Sequence, residues 1–335
     1  MTTNFANRAA MVPIGRRVRA YFAPLDRASG TAAIFDPGTS GLFTLDAPPA
    51  PWIDLGWVDN FQRMSLTSTE AIRSGAAGAA AVQFRGVLDA RVELDFRDWG
   101  KLQMALAGGS EHMNVLAPDP NATAIPSGGA PMPAVAVMPG SSAGEVIVGA
   151  GTVVAFSPGG IVAVDADYQQ QTGYVGSGIS AGYVADPAAV NGDPDYVRRV
   201  TFNVGRVAQL TATSLLLAQP LLAGSPQPGW GVQKVIAFVD REGGTFLQEW
   251  SALFVVEEDA GGRICFYYPR LSPTSSTISA QSSAGERETR VEVAKPISAL
   301  ALHAAFLAMP HTDENDGHTA LCYRSYFPAA MAALY

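Results

Sequence analysis

From Val82 to Arg97 the chain alternates apolar and polar side chains almost without a break. Val82, Phe84, Leu88, Ala90, Val92, Leu94 and Phe96 fall on one side. Gln83, Arg85, Asp89, Arg91, Glu93, Asp95 and Arg97 fall on the other, with Val87 the exception and Gly86 neutral. Successive strand side chains point to opposite faces, so a period of two predicts one strand with a buried face and a wet one. At ~3.3 Å per residue it reaches roughly 50 Å, against about five or six residues for an ordinary strand. Such a length suits a ribbon that crosses a subunit and continues into an assembly.

The rest of the chain is punctuated by 34 Gly and 23 Pro, which favours short strands and turns over long helices. Its 335 residues accommodate one large all-β domain or two ordinary ones. The formal net charge is −8, and the densest basic run is Arg16-Arg17-Val18-Arg19. Tight nucleic-acid binding draws on clustered Lys and Arg and on counterion release, so a monomer of this composition is not expected to grip DNA or RNA. Met1 to Ala10 lack the charged-then-apolar pattern of a secretory signal, and no stretch approaches the length of apolar residues that a membrane span needs. Cys265 and Cys322 both lie in strand-like contexts; two buried thiols in a reduced compartment and a bridge between them both fit.

Residues 1–30 carry Arg16, Arg17, Arg19 and Arg27 with weak apolar periodicity and read as an N-terminal arm, with a β domain over 31–335. Trp52 to Val58 reads as a strand, and Glu70 to Ala81 as a flexible, small-residue segment. After the long strand, Asp98 is a candidate N-cap for a short helix, Trp99 to Ala107, stopped by Gly108-Gly109. Pro118 to Gly144 reads as a long loop and the best candidate boundary. Hairpins are expected where Val153–Phe156 and Ile161–Val164 flank Ser157-Pro158-Gly159-Gly160, and where Leu253–Val256 and Ile264–Tyr268 flank Asp259-Ala260-Gly261-Gly262. Val200–Leu210, Arg290–Val293, Leu300–Phe306 and Thr319–Tyr326 are further candidate strands. The fold class is mainly β, with helix over less than about a fifth of the chain.

Chemistry-bearing patterns are few. Gly178-Ile179-Ser180-Ala181-Gly182 is a literal G-x-S-x-G, whose serine becomes a nucleophile only on a sharp turn between a buried strand and a helix. No convincing helix start follows, and a Gly- and Ser-rich chain produces the pattern by chance. His311, Asp313, Glu314, Asp316 and His318 cluster within eight residues, yet a zinc site wants ligands on rigid elements and this stretch reads as a solvated loop. Ser110, Glu111 and His112 follow the short helix as a cap running into a turn. Neither a phosphate-binding G-x-x-x-x-G-K-[ST] nor a G-x-G-x-x-G in a strand-to-helix context occurs. These patterns make no positive case for an enzyme.

Trp52-Ile53-Asp54-Leu55-Gly56-Trp57-Val58-Asp59-Asn60-Phe61, then Ile72-Arg73-Ser74-Gly75, then the long strand and Arg97-Asp98-Trp99-Gly100-Lys101-Leu102-Gln103-Met104-Ala105-Leu106-Ala107-Gly108-Gly109 follow one another in an order that resembles the tail tube proteins of tailed bacteriophages. Phe266-Tyr267-Tyr268-Pro269-Arg270-Leu271 and the run from Ile297 to Met309 are similar to late strands of such subunits. The resemblance implies a tail-tube-like β-sandwich or barrel with a short flanking helix and a long β-hairpin. Residues 110–230 are then an elaboration on the outside or part of a second tube-like module. It also implies hexameric rings that stack into a conduit in the virion tail, assembled in the host cytoplasm. The partners would be further copies of the chain and other tail proteins, with DNA passing through unbound, no membrane insertion, and no cofactor or metal. Arg85, Asp89, Arg91, Glu93, Asp95 and Arg97 would line the channel, although an ordinary solvent-facing strand produces the same pattern. A tail terminator, a capsid decoration protein and a hydrolase using Ser180 are the rival readings.

Overall fold

In the computed structural model the alternating stretch is one strand of a long antiparallel pair. The structure describes residues 15–26, 29–74, 79–119, 121, 131–166, 172–174, 181–184, 193–241, 246–258, 261–274 and 302–329. It divides into two units. The first comprises Met1–Asp26, Gly30–Gly109 and Gln248–Tyr335; the second comprises Ser110–Leu247 with Arg27–Ser29.

The first unit is built on β1 (Gly15–Pro24), β2 (Ile53–Ser74), β3 (Ala79–Phe96), β4 (Trp250–Glu258), β5 (Arg263–Thr274), β6 (Leu302–Ala308) and β7 (Tyr323–Phe327). Six strands pair in the order β4-β1-β2-β3-β6-β5, and β5 returns to β4, so the sheet closes into a barrel. Every pairing is antiparallel. β5 gives one edge to β4 and divides the other, with Arg263–Tyr267 on β7 and Leu271–Thr274 on β6. Closure leaves a barrel strand no edge to offer another chain.

The period of two is visible in what is buried. β6 buries Leu302, Ala304, Phe306 and Ala308, and β3 buries Ala90, Val92, Leu94 and Phe96. Phe22 on β1 meets Phe254 at 5.9 Å and Phe306 at 5.5 Å between ring centroids. β1 and β6 are not neighbours in the sheet, so this contact spans the interior. On the outer face Tyr21, Ala23, Leu253, Val255, Cys265 and Tyr267 are buried beneath Phe35 and Trp52 from the segment after β1. β1 and β4 are therefore covered on both faces. In that covering segment, Asp36 caps the single turn α1 (Pro37–Ser40) by accepting from the Gly38 N–H.

The mainly β fold class, with a short helix and a long hairpin, is the one expected; several boundaries differ. Residues 15–24 are not an arm but a central barrel strand, because the charge of Arg19 is taken up by Asp54 (Nε to Oδ1, 3.0 Å) and its guanidinium lies 5.2 Å from the Trp57 ring centroid. β2 does not stop at Val58 but runs to Ser74, and 79–81 belong to β3, so most of the segment expected to be flexible is strand. The helix α2 (Lys101–Gly108) starts after Gly100 with no side-chain cap from Asp98, and it ends on Gly109 at φ 58°, whose N–H donates to the Ala105 carbonyl.

The second unit has a nine-stranded antiparallel sheet. Along its main path the strands run 145–147, 214–217, 204–210, 161–165, 231–241, 111–116, 181–184 and 172–174, and 135–136 pairs with 231–232. Val162 and Val164 pack into one core with Val146, Val207 and Val232, while Ala163 joins Met113, Tyr196, Val200 and Val235 in another. Alternation thus feeds two faces. The unit ends at Leu247 and not at 230, because Gly231–Arg241 pairs with both Glu111–Leu116 and Ile161–Asp165. Pro118 to Gly144 is not a boundary: Pro118 bridges to Pro131, and Val135–Ala136 joins the sheet. Val153–Ala155 is a 3₁₀ turn and Arg198–Phe202 a turn of π-helix where strand was expected. Candidate strand 290–293 lies outside the described residues.

Candidate assembly site

β2 and β3 leave the barrel together. β2 pairs with β1 only as far as Val58, opposite Val18. β3 pairs with β6 only over Arg91–Phe96, because β6 ends at Ala308, the Met309 N–H turns back to the Arg270 carbonyl, and Pro310 has no N–H to offer. Beyond these points the two strands continue to pair with each other as far as Ser74 opposite Ala79. Among the described residues no other strand pairs with the outer edge of β2 past Val58 or of β3 before Arg91. Every second residue of each strand there turns its N–H and C=O outward. The free part of β3 alone spans about 40 Å at ~3.3 Å per residue.

Direct cross-strand partners share a face. One face carries Asp89, Arg91 and Glu93 with Leu66, Met64 and Gln62 opposite them. The other carries Leu88, Ala90 and Val92 with Thr67, Ser65 and Arg63 opposite. Ala90 and Val92 enter the barrel core, whereas Leu88 is 46% exposed. Arg63, opposite Val92, turns to the same face and reaches across to β5: its Nε donates to the Tyr268 hydroxyl at 2.9 Å, and its guanidinium lies 4.8 Å from the Phe266 ring centroid. Burial pushes the Tyr268 phenol up to about 12. That hydroxyl therefore stays neutral across the physiological range.

The six residues expected on the channel face separate into distinct environments. The side chain of Arg85 lies outside the described residues. Arg91 pairs with Asp89 at 3.2 Å along its own strand, and Arg91 is exposed. Arg97 pairs across to Asp59 through Nε at 2.7 Å, both side chains being about half exposed. Asp95 differs from the others. It is only 9% exposed, and its carboxylate accepts from His303 Nδ1 on β6 at 2.8 Å and from Asn60 Nδ2 on β2 at 2.6 Å. Asn60 itself sits at φ 51°, in the bulge that shifts the register between Asp59 and Gln62.

Sequence reasoning misses Met64, Leu66, Asn60 and His303. The alternation Met64-Ser65-Leu66-Thr67 is a readable signal for the first two, and Asp59-Asn60 inside a strand is one for a left-handed residue. His303 carries none.

The other constellations resolve into local structure. Ser180 lies outside the described residues, and Ala181–Val184 just after it is strand where the hydrolase turn requires helix. Asp313 is occupied by the Asn315 N–H and by the Tyr323 hydroxyl at 3.0 Å, and Asp316 by the His318 N–H, within the turn between 311–312 and 319–320. Among the described residues no three His, Cys, Asp or Glu side chains converge on a metal position, and no helix is long and apolar enough to cross a membrane. Ser110 donates to Asp240, Glu111 pairs with Arg241, and His112 bonds Thr201, so these three side chains point to different partners. Cys265 and Cys322 are both free thiols. No family model matches the chain, and no curated protein matches it in sequence.

Proposed function

We propose that the protein is a structural, self-assembling virion subunit, a tail tube protein of a tailed bacteriophage, whose copies join ribbon to ribbon into stacked rings around a channel for the genome. The observation that carries this reading is the pair of ribbon edges beyond Val58 and Arg91 that no strand covers among the described residues. A long unpaired edge is a template for another chain, and a closed ring of copies is a way to remove it. Rotation about a channel axis keeps every copy in the same sense, so β3 of one copy meets β2 of the next antiparallel. The wall is then a barrel of hairpins with no terminal edge.

Charge supports the same reading. Asp89, Arg91 and Glu93 alternate in sign along one face, and the chain as a whole carries −8. A channel lined in this way presents little adhesive charge to passing DNA. The partners are other copies of the chain and the remaining tail proteins, and the role needs no catalytic residue and no cofactor. Negative-stain electron microscopy and sedimentation of the purified protein test it. Rings or tubes of uniform diameter are expected as concentration rises; a species that stays monomeric at every concentration and ionic strength overturns the proposal.

A further inference from the structure

Asp95 stands at the centre of a row that crosses three strands, with Asp59 opposite it on β2 and His303 opposite it on β6. Two carboxylates directly opposite each other repel. Each is answered from elsewhere: Asp59 by Arg97, Asp95 by His303 Nδ1 and Asn60 Nδ2. The row lies where β2 parts from β1, one residue beyond their last partner at Val58, while β3 stays paired with β6 for four more residues, to Arg91. The bulge between Asp59 and Gln62 is here as well, and a bulge bends its strand and raises the local twist. Asn60, whose left-handed backbone makes that bulge, is tied by its side chain to Asp95 on the neighbouring strand.

From this geometry we infer that Asn60, Asp95 and His303 form a positioning clamp that fixes the direction in which the ribbon leaves the barrel, and that joining of copies depends on it. The dependence on joining rests on the proposed assembly role; the clamp itself does not. The barrel has its own aromatic core and closed sheet, so loss of the clamp leaves it folded and frees the ribbon to swing. An edge that swings meets its neighbour in register less often, and the concentration needed for assembly rises.

Asn60→Gly tests the clamp, since glycine accepts the positive φ without strain and takes away the carboxamide together with its methylene. His303→Leu removes the second donor. His303→Asn returns an N–H near the Nδ1 position and serves as the rescue. Amide hydrogen exchange of the dilute, unassembled subunit reads the clamp directly. Asn60→Gly and His303→Leu are expected to speed exchange at Met64–Thr67 and Leu88–Ala90 at least about tenfold, the size a hydrogen bond to a charged group commands, with protection of β4 and β6 unchanged. The concentration at which rings appear rises by a similar factor, and His303→Asn restores both. Wild-type ribbon exchange in Asn60→Gly and His303→Leu overturns the clamp, as does loss of protection throughout the barrel, which would make these residues ordinary supports of the fold. Wild-type protein that never assembles overturns the assembly role instead, and leaves the exchange result to decide the clamp.

Discussion

Between Ile53 and Val58 and between Arg91 and Phe96, β2 and β3 are barrel wall; from Met64 to Ser74 and from Ala79 to Ala90 they are a ribbon of two strands. The alternation of side chains along β3 does not change at the boundary. Its consequences do. Leu94 is fully buried and Leu88 is 46% exposed, although both belong to the same apolar row of the same strand. On the opposite face, Leu66 is 69% exposed and Met64 50%. Two strands alone are marginally stable in water and need a third strand or a packed face. The ribbon carries the residues for such packing and finds no cover among the described residues of its own chain.

The contrast has a direct thermodynamic reading. Leu94→Ala empties space inside a closed barrel and should cost about 2–5 kcal/mol of subunit stability, seen as a lower denaturation midpoint at unchanged slope. Leu88→Ala, further out along the same row, trims a side chain that is already 46% exposed, and should cost less, about 1 kcal/mol or less. In the proposed rings the order should change, with Leu88→Ala expected to weaken joining while leaving the folded subunit intact. Equal destabilisation of the subunit by the two substitutions would erase the distinction between wall and ribbon.

Thiol reactivity sharpens the same comparison. Cys265 lies in the covered outer layer of the wall, where burial pushes its thiol up to about 12. The thiolate is the nucleophile, and the greater nucleophilicity of a more basic thiolate offsets about half of its scarcity, so Cys265 should react with a disulfide reagent at pH 8 about 10²-fold more slowly than an exposed cysteine of ordinary acidity. Leu88→Cys in a Cys322→Ser background supplies that comparison within one molecule. Rapid labelling at both positions of the unassembled subunit would show that the wall opens as readily as the ribbon. Under the proposed assembly only the introduced ribbon thiol should become protected, since there only the ribbon would gain a new neighbour.

How much of this was legible in the sequence depends on whether a residue's fate is decided locally. β3 declared itself because a period of two is a property of the strand alone. The end of α2 at Gly109 and the hairpin between β4 and β5 were readable for the same reason. β1 was not: Arg16, Arg17 and Arg19 make it look like a basic arm, and it is Asp46, Asp54 and Trp57, far along the chain, that make Arg19 tolerable in a wall. Barrel closure was equally hidden, resting on contacts such as Phe22 with Phe306 that join distant segments. Asp95 shows the limit at the site. Alternation places it on the polar face, but whether that face meets water or a histidine more than 200 residues away is outside what a local pattern encodes.

The smallest expected effect belongs to the joint between the two halves. Asp59 and Arg97 pair there across β2 and β3, and the hydrogen bond from Arg97 holds the Asp59 carboxyl below its ordinary value. A carboxylate lowered in the folded state adds stability that is complete above its ordinary value near 4 and is lost as pH falls through the lower, folded one. Both side chains are about half exposed, so solvent screens the pair and its contribution is about 0.5 kcal/mol or less. Asp59→Asn should therefore lower stability slightly at pH 7 and at low salt, and the difference from the native chain should fade as pH falls below the ordinary carboxylate range and in molar salt. Removing the carboxylate also relieves its repulsion toward Asp95 on the neighbouring strand, which works against the loss. A difference that persists undiminished in acid would mean that Asp59 supports the joint by shape and not by charge, and the ribbon would then be anchored to the wall by the Asn60–Asp95–His303 contacts without electrostatic help from its neighbour.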